Sequence, residues 1–160
     1  MGHSYGGMIA QMTAGAQLSG DAANFAVDSV FKPTALIAIS PPGPIPNYIE
    51  TVGWEKVAAP SLIVTGTNDI VPNMTENWED HLVSFTVSPK GSYALVYDDM
   101  DHYMNGAYGR ETDNDTLERK AAMSHRIDIM AAYMSGSPGQ ISPKDIAKLD
   151  DEFVELRTKE

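Results

Sequence analysis

Three residue types in this chain could together do nucleophilic chemistry: a serine, an aspartate and a histidine. The serine is Ser4, in Gly2-His3-Ser4-Tyr5-Gly6-Gly7. A G-x-S-x-G pattern followed by an alanine- and methionine-rich run reads as a nucleophile elbow, a sharp strand-to-helix turn that lifts a hydroxyl above a sheet. The elbow strains the serine backbone, and side chains at Gly2 and Gly6 are expected to collide with the neighbouring strand and helix. The helix that follows aims its N-terminus at the site, where partial positive charge favours a developing anion. A serine hydroxyl needs a base to take its proton, and that base needs a carboxylate to hold its tautomer. Asp69, in Gly66-Thr67-Asn68-Asp69-Ile70-Val71-Pro72, and His102, in Asp99-Met100-Asp101-His102-Tyr103, supply the types. The order along the chain is Ser4, Asp69, His102.

These residues must be positioned by a scaffold, and the hydrophobic pattern says which. Ala35-Leu36-Ile37-Ala38-Ile39, Ser61-Leu62-Ile63-Val64-Thr65 and Tyr93-Ala94-Leu95-Val96-Tyr97 are short apolar runs without polar alternation. Such runs suit strands buried on both faces of a parallel sheet. Between them lie stretches of helical character. Met8 to about Leu18 is the elbow helix, with Met8, Ile9, Met12 and Ala16 toward the sheet. Tyr48 to Lys56 is a short helix, and Thr75 caps another that runs to about Phe85. Asp98 to Arg110 is a loop. Asp113 to Met134 is a long amphipathic helix with Leu117, Ala121, Ser124, Ile127 and Ala131 on one side. Ser142-Pro143 opens a last helix with Ile146, Leu149 and Phe153 as its apolar stripe. Alternating strands and helices imply an α/β fold, a parallel sheet flanked by helices. Residues 1–136 form its main domain. Residues 137–160 form a linker and a C-terminal amphipathic helix docked on it. In such sheets functional residues sit past the carboxyl ends of strands, which is where Asp69 and His102 fall.

Composition narrows the function classes. The 160 residues carry 42% hydrophobic and 21% charged side chains, which describes a globular chain with a real core. The net charge of −11 argues against nucleic acid and anionic membrane surfaces as partners. No apolar run is long enough to span a bilayer. The absence of cysteine removes thiolate nucleophiles, disulfides and cysteine-ligated metals.

With those motifs in place, the chain resembles the α/β-hydrolase superfamily, specifically its C-terminal half, from Gly2 to about Met134. The resemblance rests on Gly-His-Ser-Tyr-Gly-Gly, the Gly-Thr-Asn-Asp loop and the Asp-His loop, in the serine–acid–histidine order of that superfamily. It implies a serine hydrolase of small-molecule carboxylic esters, working through an acyl-enzyme and needing no cofactor. Ser4 is then the nucleophile, His102 the general base and acid, and Asp69 the orienting carboxylate. The Tyr5 N–H is one oxyanion-hole donor. The local flavour is similar to the dienelactone-hydrolase, chlorophyllase and lipase-like esterase groups, although dienelactone hydrolases proper use a cysteine. Residues 40–60, between the first two long strands, leave no room for a large cap domain. The loop of Pro41, Pro42, Pro44 and Pro46, with Ile45, Tyr48 and Trp54, is expected to wall an open cleft.

Other residues carry blander readings. Asp98, Asp99 and Asp101 are too near His102 in sequence to reach its ring, and read as loop solvation or caps. His3 belongs to the site wall or the elbow's structure. His81 and His125 lie on helices and read as surface or packing residues. No convergent metal ligands are expected. Trp54 and Trp78 read first as packing. The strands that would precede the elbow, and the loop with a second oxyanion donor, have no counterpart in the sequence. The chain therefore reads as part of a longer enzyme or an inactive remnant, with its first strand a bare edge open to association and the elbow helix packed on nothing.

Overall fold

The apolar runs become strands that divide their side chains between two cores. In a computed structural model, which describes residues 1–25, 27, 30, 32–108, 117–135 and 154–159, five strands form one sheet in the order β1-β2-β3-β4-β5. They are β1 (Gly2–His3), β2 (Leu36–Ile39), β3 (Ser61–Asn68), β4 (Tyr93–Asp101) and β5 (Val154–Thr158). β1 to β4 are mutually parallel, and β5 closes the sheet antiparallel to β4. The register sets Ala38 beside Ile63 and Ile63 beside Ala94. Those three join one core with Leu36, Met8, Met12, Trp54 and Phe85. The alternate residues Ile37, Ile39, Leu62, Val64 and Leu95 face the other, with Ile129 and Tyr133. A strand with both faces covered has no reason to alternate in polarity. Each fully buried Leu, Ile or Val in it contributes about 1.5–3 kcal/mol relative to exposure.

The helices are α1 (Tyr5–Thr13), α2 (Thr51–Trp54), α3 (Val83–Thr86) and α4 (Leu117–Ser135), with a 3-10 helix at Trp78–Leu82. α1 buries Gly7, Met8, Gln11 and Met12. It is well packed, contrary to the expectation that it would rest on nothing. Ile9 is exposed, and Ala16 is buried beyond the end of the helix. The outer edge of β2 is covered at Ala38 and Ile39, which pair with Gly2 and His3, two of its four residues.

Several boundaries move. The helix expected from Thr75 starts at Trp78, because Thr75 is tied back to Val71 in an isolated bridge. The short helix expected at 48–56 covers Thr51–Trp54. β4 runs on to Asp101, four residues into the expected loop. α4 turns a different face inward: Arg126, Ile129 and Tyr133 are buried while Ser124, Ile127 and Ala131 are exposed. The spacings 126, 129 and 133 fit one stripe just as well, and tyrosine with isoleucine fills more core than alanine and serine. The side chains of Leu117 and Ala121, the expected start at Asp113, and residues 137–153 with their expected linker and helix lie outside the described residues. Val154–Thr158, placed within that helical stretch from sequence, is strand β5. No helix among the described residues is long and apolar enough to cross a membrane.

Candidate active site

The four parallel strands end on one edge of the sheet, and the residue after each ending is polar. Ser4 follows β1, Ser40 follows β2, Asp69 follows β3 and His102 follows β4. Parallel strands in register make this convergence automatic, so residues distant in sequence meet at a common rim.

Ser4 sits at the turn into α1 with φ 54° and ψ −126°, a conformation costly for a residue with a side chain. Its N–H donates to the Ile39 carbonyl at 2.8 Å, while its own carbonyl accepts from Gly7 and Met8. The turn is so tight that a Cβ on Gly2 would lie 2.0 Å from the Gly6 carbonyl oxygen. Glycine is therefore required at position 2. It is not required by crowding at position 6, where a Cβ would meet nothing within 4 Å. The collision expected there is absent because Gly6 lies on the exposed side of α1. In the first turn of α1 the Tyr5 N–H has no intrahelical acceptor, so it is available beside the Ser4 side chain.

The Ser4 hydroxyl lies 3.0 Å from His102 Nε2. His102 Nδ1 in turn donates to Asp69 Oδ1 at 2.7 Å. Asp69 Oδ2 accepts from the Thr65 hydroxyl at 2.7 Å. Asp69 is fully buried and His102 nearly so, whereas Ser4 is half-exposed. The buried end of the chain is thus shielded and its hydroxyl end reachable from solvent. Burial alone would raise the Asp69 carboxyl. The hydrogen bonds from His102 and His81, with the attraction of His81, outweigh it and hold the group well below the usual carboxylate range.

Local devices hold these side chains. Gly66 lets β3 pass β4 closely, since a Cβ there would lie 2.3 Å from the Met100 carbonyl oxygen. The β3–β4 register shifts between Gly66 and Asn68, which brings Asn68 opposite Asp101 and so sets Asp69 level with His102. Asp101 caps the His102 loop by accepting from the Tyr103 and Asn105 N–H groups at 3.0 and 2.7 Å. Asp98 accepts from the Thr67 hydroxyl, and Asp99 lies against Asn68 and Thr67. These acids brace the loop, as their proximity in sequence to His102 suggests.

His3 joins the site. Its Nε2–H donates to the His102 carbonyl at 2.7 Å, and its ring stacks on Tyr108 with centroids 4.4 Å apart. Burial lowers its basicity, against the pull of the His102 carbonyl. Trp54 does not line a cleft. It has no exposed surface, and its indole N–H donates to the buried Gln11 side chain at 2.9 Å. An indole fills core readily wherever its one donor is satisfied. Ile45 and Tyr48 are half-buried and pack against that same core.

No family model, curated protein or solved structure matches this chain.

His81 is the residue that sequence reasoning missed. It is buried, the packing rather than the surface half of its reading, and it also approaches Asp69 Oδ1 to 2.9 Å. It follows no strand, so the strand-end rule passes over it. The convergence of Asp69, His81 and His102, with ligand-type atoms within 4.8 Å of one another, also corrects the expectation that no such cluster forms. In the present arrangement those atoms are engaged in hydrogen bonds with each other. Thr65 and Ser40 were unremarkable in sequence. The buried Ser40 hydroxyl has no hydrogen-bond partner of ordinary geometry, although it lies close enough to Asp69 to help stabilise its charge.

Proposed function

We propose that the protein is a serine hydrolase acting on carboxylic esters, built on the later half of an α/β-hydrolase fold. One observation carries the reading: a hydroxyl, an imidazole and a carboxylate joined at 3.0 and 2.7 Å, each at the end of a parallel strand. In this reading His102 Nε2 takes the Ser4 proton as Oγ attacks the acyl carbon. The charge on the carbonyl oxygen develops toward the Tyr5 N–H and the N-terminus of α1. The C–O bond to the alcohol breaks, and His102 returns the proton to the leaving oxygen. Water, deprotonated by His102, then attacks the acyl-enzyme, the acyl–Oγ bond breaks as His102 returns the proton to Oγ, and the free acid leaves. Asp69 stabilises the imidazolium formed in both halves. The same groups serve thioesters, lactones and amides, so the ester class is the simplest substrate to test.

A fluorophosphonate probe and a p-nitrophenyl ester test the proposal. Wild-type protein should label and turn over, and Ser4→Ala should do neither. Equal labelling of Ser4→Ala would remove Ser4 as the nucleophile. Labelling without turnover would favour the second reading, in which the chain works only with further strands placed along the short β1 edge.

A further inference from the structure

His81 is buried against the proposed machinery and has no part in the steps above. Its Nδ1 lies 2.6 Å from the Pro41 carbonyl oxygen. Its Nε2 lies 2.9 Å from Asp69 Oδ1 and 3.1 Å from the Asp69 carbonyl oxygen. All three partners can only accept. A neutral imidazole would turn a lone pair toward one of them, so both ring nitrogens must carry protons. His81 is therefore an imidazolium held against a carboxylate. Burial opposes that charge, but the hydrogen bond and attraction of Asp69 outweigh it and raise His81 above its ordinary 6.5. The titratable groups that face it are Asp69, His102 with ring centroids 5.7 Å away, and more distantly His3.

We propose that His81 is a positioning residue that ties the loop after β2, through Pro41, to the loop after β3, through Asp69, and so fixes the carboxylate on which His102 rests. The inference builds on the roles given to Ser4, His102 and Asp69 above. Thr65 holds Oδ2 and His81 holds Oδ1, so the carboxylate is fixed at both oxygens before His102 is counted. His81 also solves an electrostatic problem. While His102 is neutral, Asp69 would be a lone buried anion, and an unpaired buried charge is strongly unfavourable. The His81 cation neutralises it throughout the cycle.

Two substitutions divide the contacts. The amide nitrogen of His81→Asn takes the place of Nδ1 and keeps the Pro41 bond. That of His81→Gln reaches the place of Nε2 and keeps the Asp69 bond. With a p-nitrophenyl ester, His81→Asn should lower kcat by roughly 10–100-fold, the size usual for groups that orient a working side chain. Its KM should move by less than about threefold, and His81→Gln, which keeps the hydrogen bond to Asp69 but not the positive charge, should recover only part of the lost kcat. A second readout needs no catalysis. At about pH 7, where an ordinary histidine is mostly neutral, nitrogen-15 NMR should find both His81 nitrogens protonated. The His102 Nδ1–H signal should be lost in His81→Asn and kept in His81→Gln. A single protonated nitrogen on His81, or equal kcat in the two variants with the His102 signal intact in both, overturns the proposal. If instead Ser4→Ala still hydrolyses ester while the NMR pattern holds, the hydrolase reading fails and the His81 tether stands.

Discussion

Replacing Asp69 with Asn should unfold this protein more readily in a way that depends on pH. Asp69 accepts from Thr65 on one oxygen and from two imidazoles on the other. Asparagine keeps one acceptor oxygen and loses the charge. If that oxygen faces the imidazoles, His81 remains a buried cation without its counter-ion. If the amide NH2 faces them instead, it points donors at a cation that cannot accept. Removing one member of a buried pair costs about 3–5 kcal/mol. For a chain of this size that corresponds to a fall in Tm of roughly 6–20 °C. The pH window follows from the two partners. The Asp69 carboxyl is depressed on folding from its ordinary 3.8, so its contribution is present above 3.8 and lost as pH falls through the folded value. His81 is raised from 6.5, so its contribution is complete below 6.5 and lost as pH rises through the folded value. The gap between wild type and Asp69→Asn should therefore be widest between 3.8 and 6.5. It should narrow as pH rises through the folded value of His81, where that group gives up its proton. Urea unfolding at a series of pH values measures this, provided the slope m is unchanged. A gap below about 1 kcal/mol near pH 5 would refute the buried pair, because only a surface ion pair is that weak.

Further outcomes follow from the same geometry. Ser4→Gly should stabilise the fold by about 1 kcal/mol while abolishing hydrolysis, since glycine relieves the positive φ of the elbow; a destabilised variant would mean that the turn is unstrained. Gly2→Ala should lower stability by about 1–3 kcal/mol and reduce fluorophosphonate labelling, because its methyl would lie 2.0 Å from the Gly6 carbonyl oxygen. Gly6→Ala, with open space around its Cβ, is the paired control for that loss. Trp54→Phe should cost about 1–3 kcal/mol in chemical denaturation by stranding the Gln11 oxygen, yet leave KM unchanged; a raised KM would return Trp54 to the substrate cleft.

The legible parts of this molecule are those in which a local rule and a tertiary rule agree. Ile37, Leu62 and Leu95 announce buried strands because burial on both faces abolishes alternation. Parallel strands then carry Ser4, Asp69 and His102 to one rim whatever their spacing in sequence. What was not legible depends on contacts between elements. Trp54 and Ile45 belong to a proline-rich connection, which reads equally as cleft wall or core. The core wins for Trp54 because Gln11, from the distant α1, satisfies its indole. The inward face of α4 was misjudged because Leu117, Ala121, Ser124, Ile127 and Ala131 make an acceptable stripe on their own. Only the sheet above decides in favour of Ile129 and Tyr133.

His81 shows most clearly where reading a chain by strand endings stops. Its sequence neighbours, Glu79 and Asp80, are acidic and suggest a solvated face. Its burial is set by the reach of the 3-10 helix back across the β3 terminus, in contact with β3 itself. Once there, it meets only acceptors, and the acceptors dictate its charge. The chemistry of the rim is therefore settled in two stages. Strand register brings hydroxyl, imidazole and carboxylate together, and the packing of a short helix supplies the cation that lets a carboxylate remain charged so far from water. A chain with the same three strand-end residues but an apolar group at position 81 would keep the alignment and lose the counter-charge. Its Asp69 would then have to carry a proton, or accept the full burden of burial, whenever His102 was neutral.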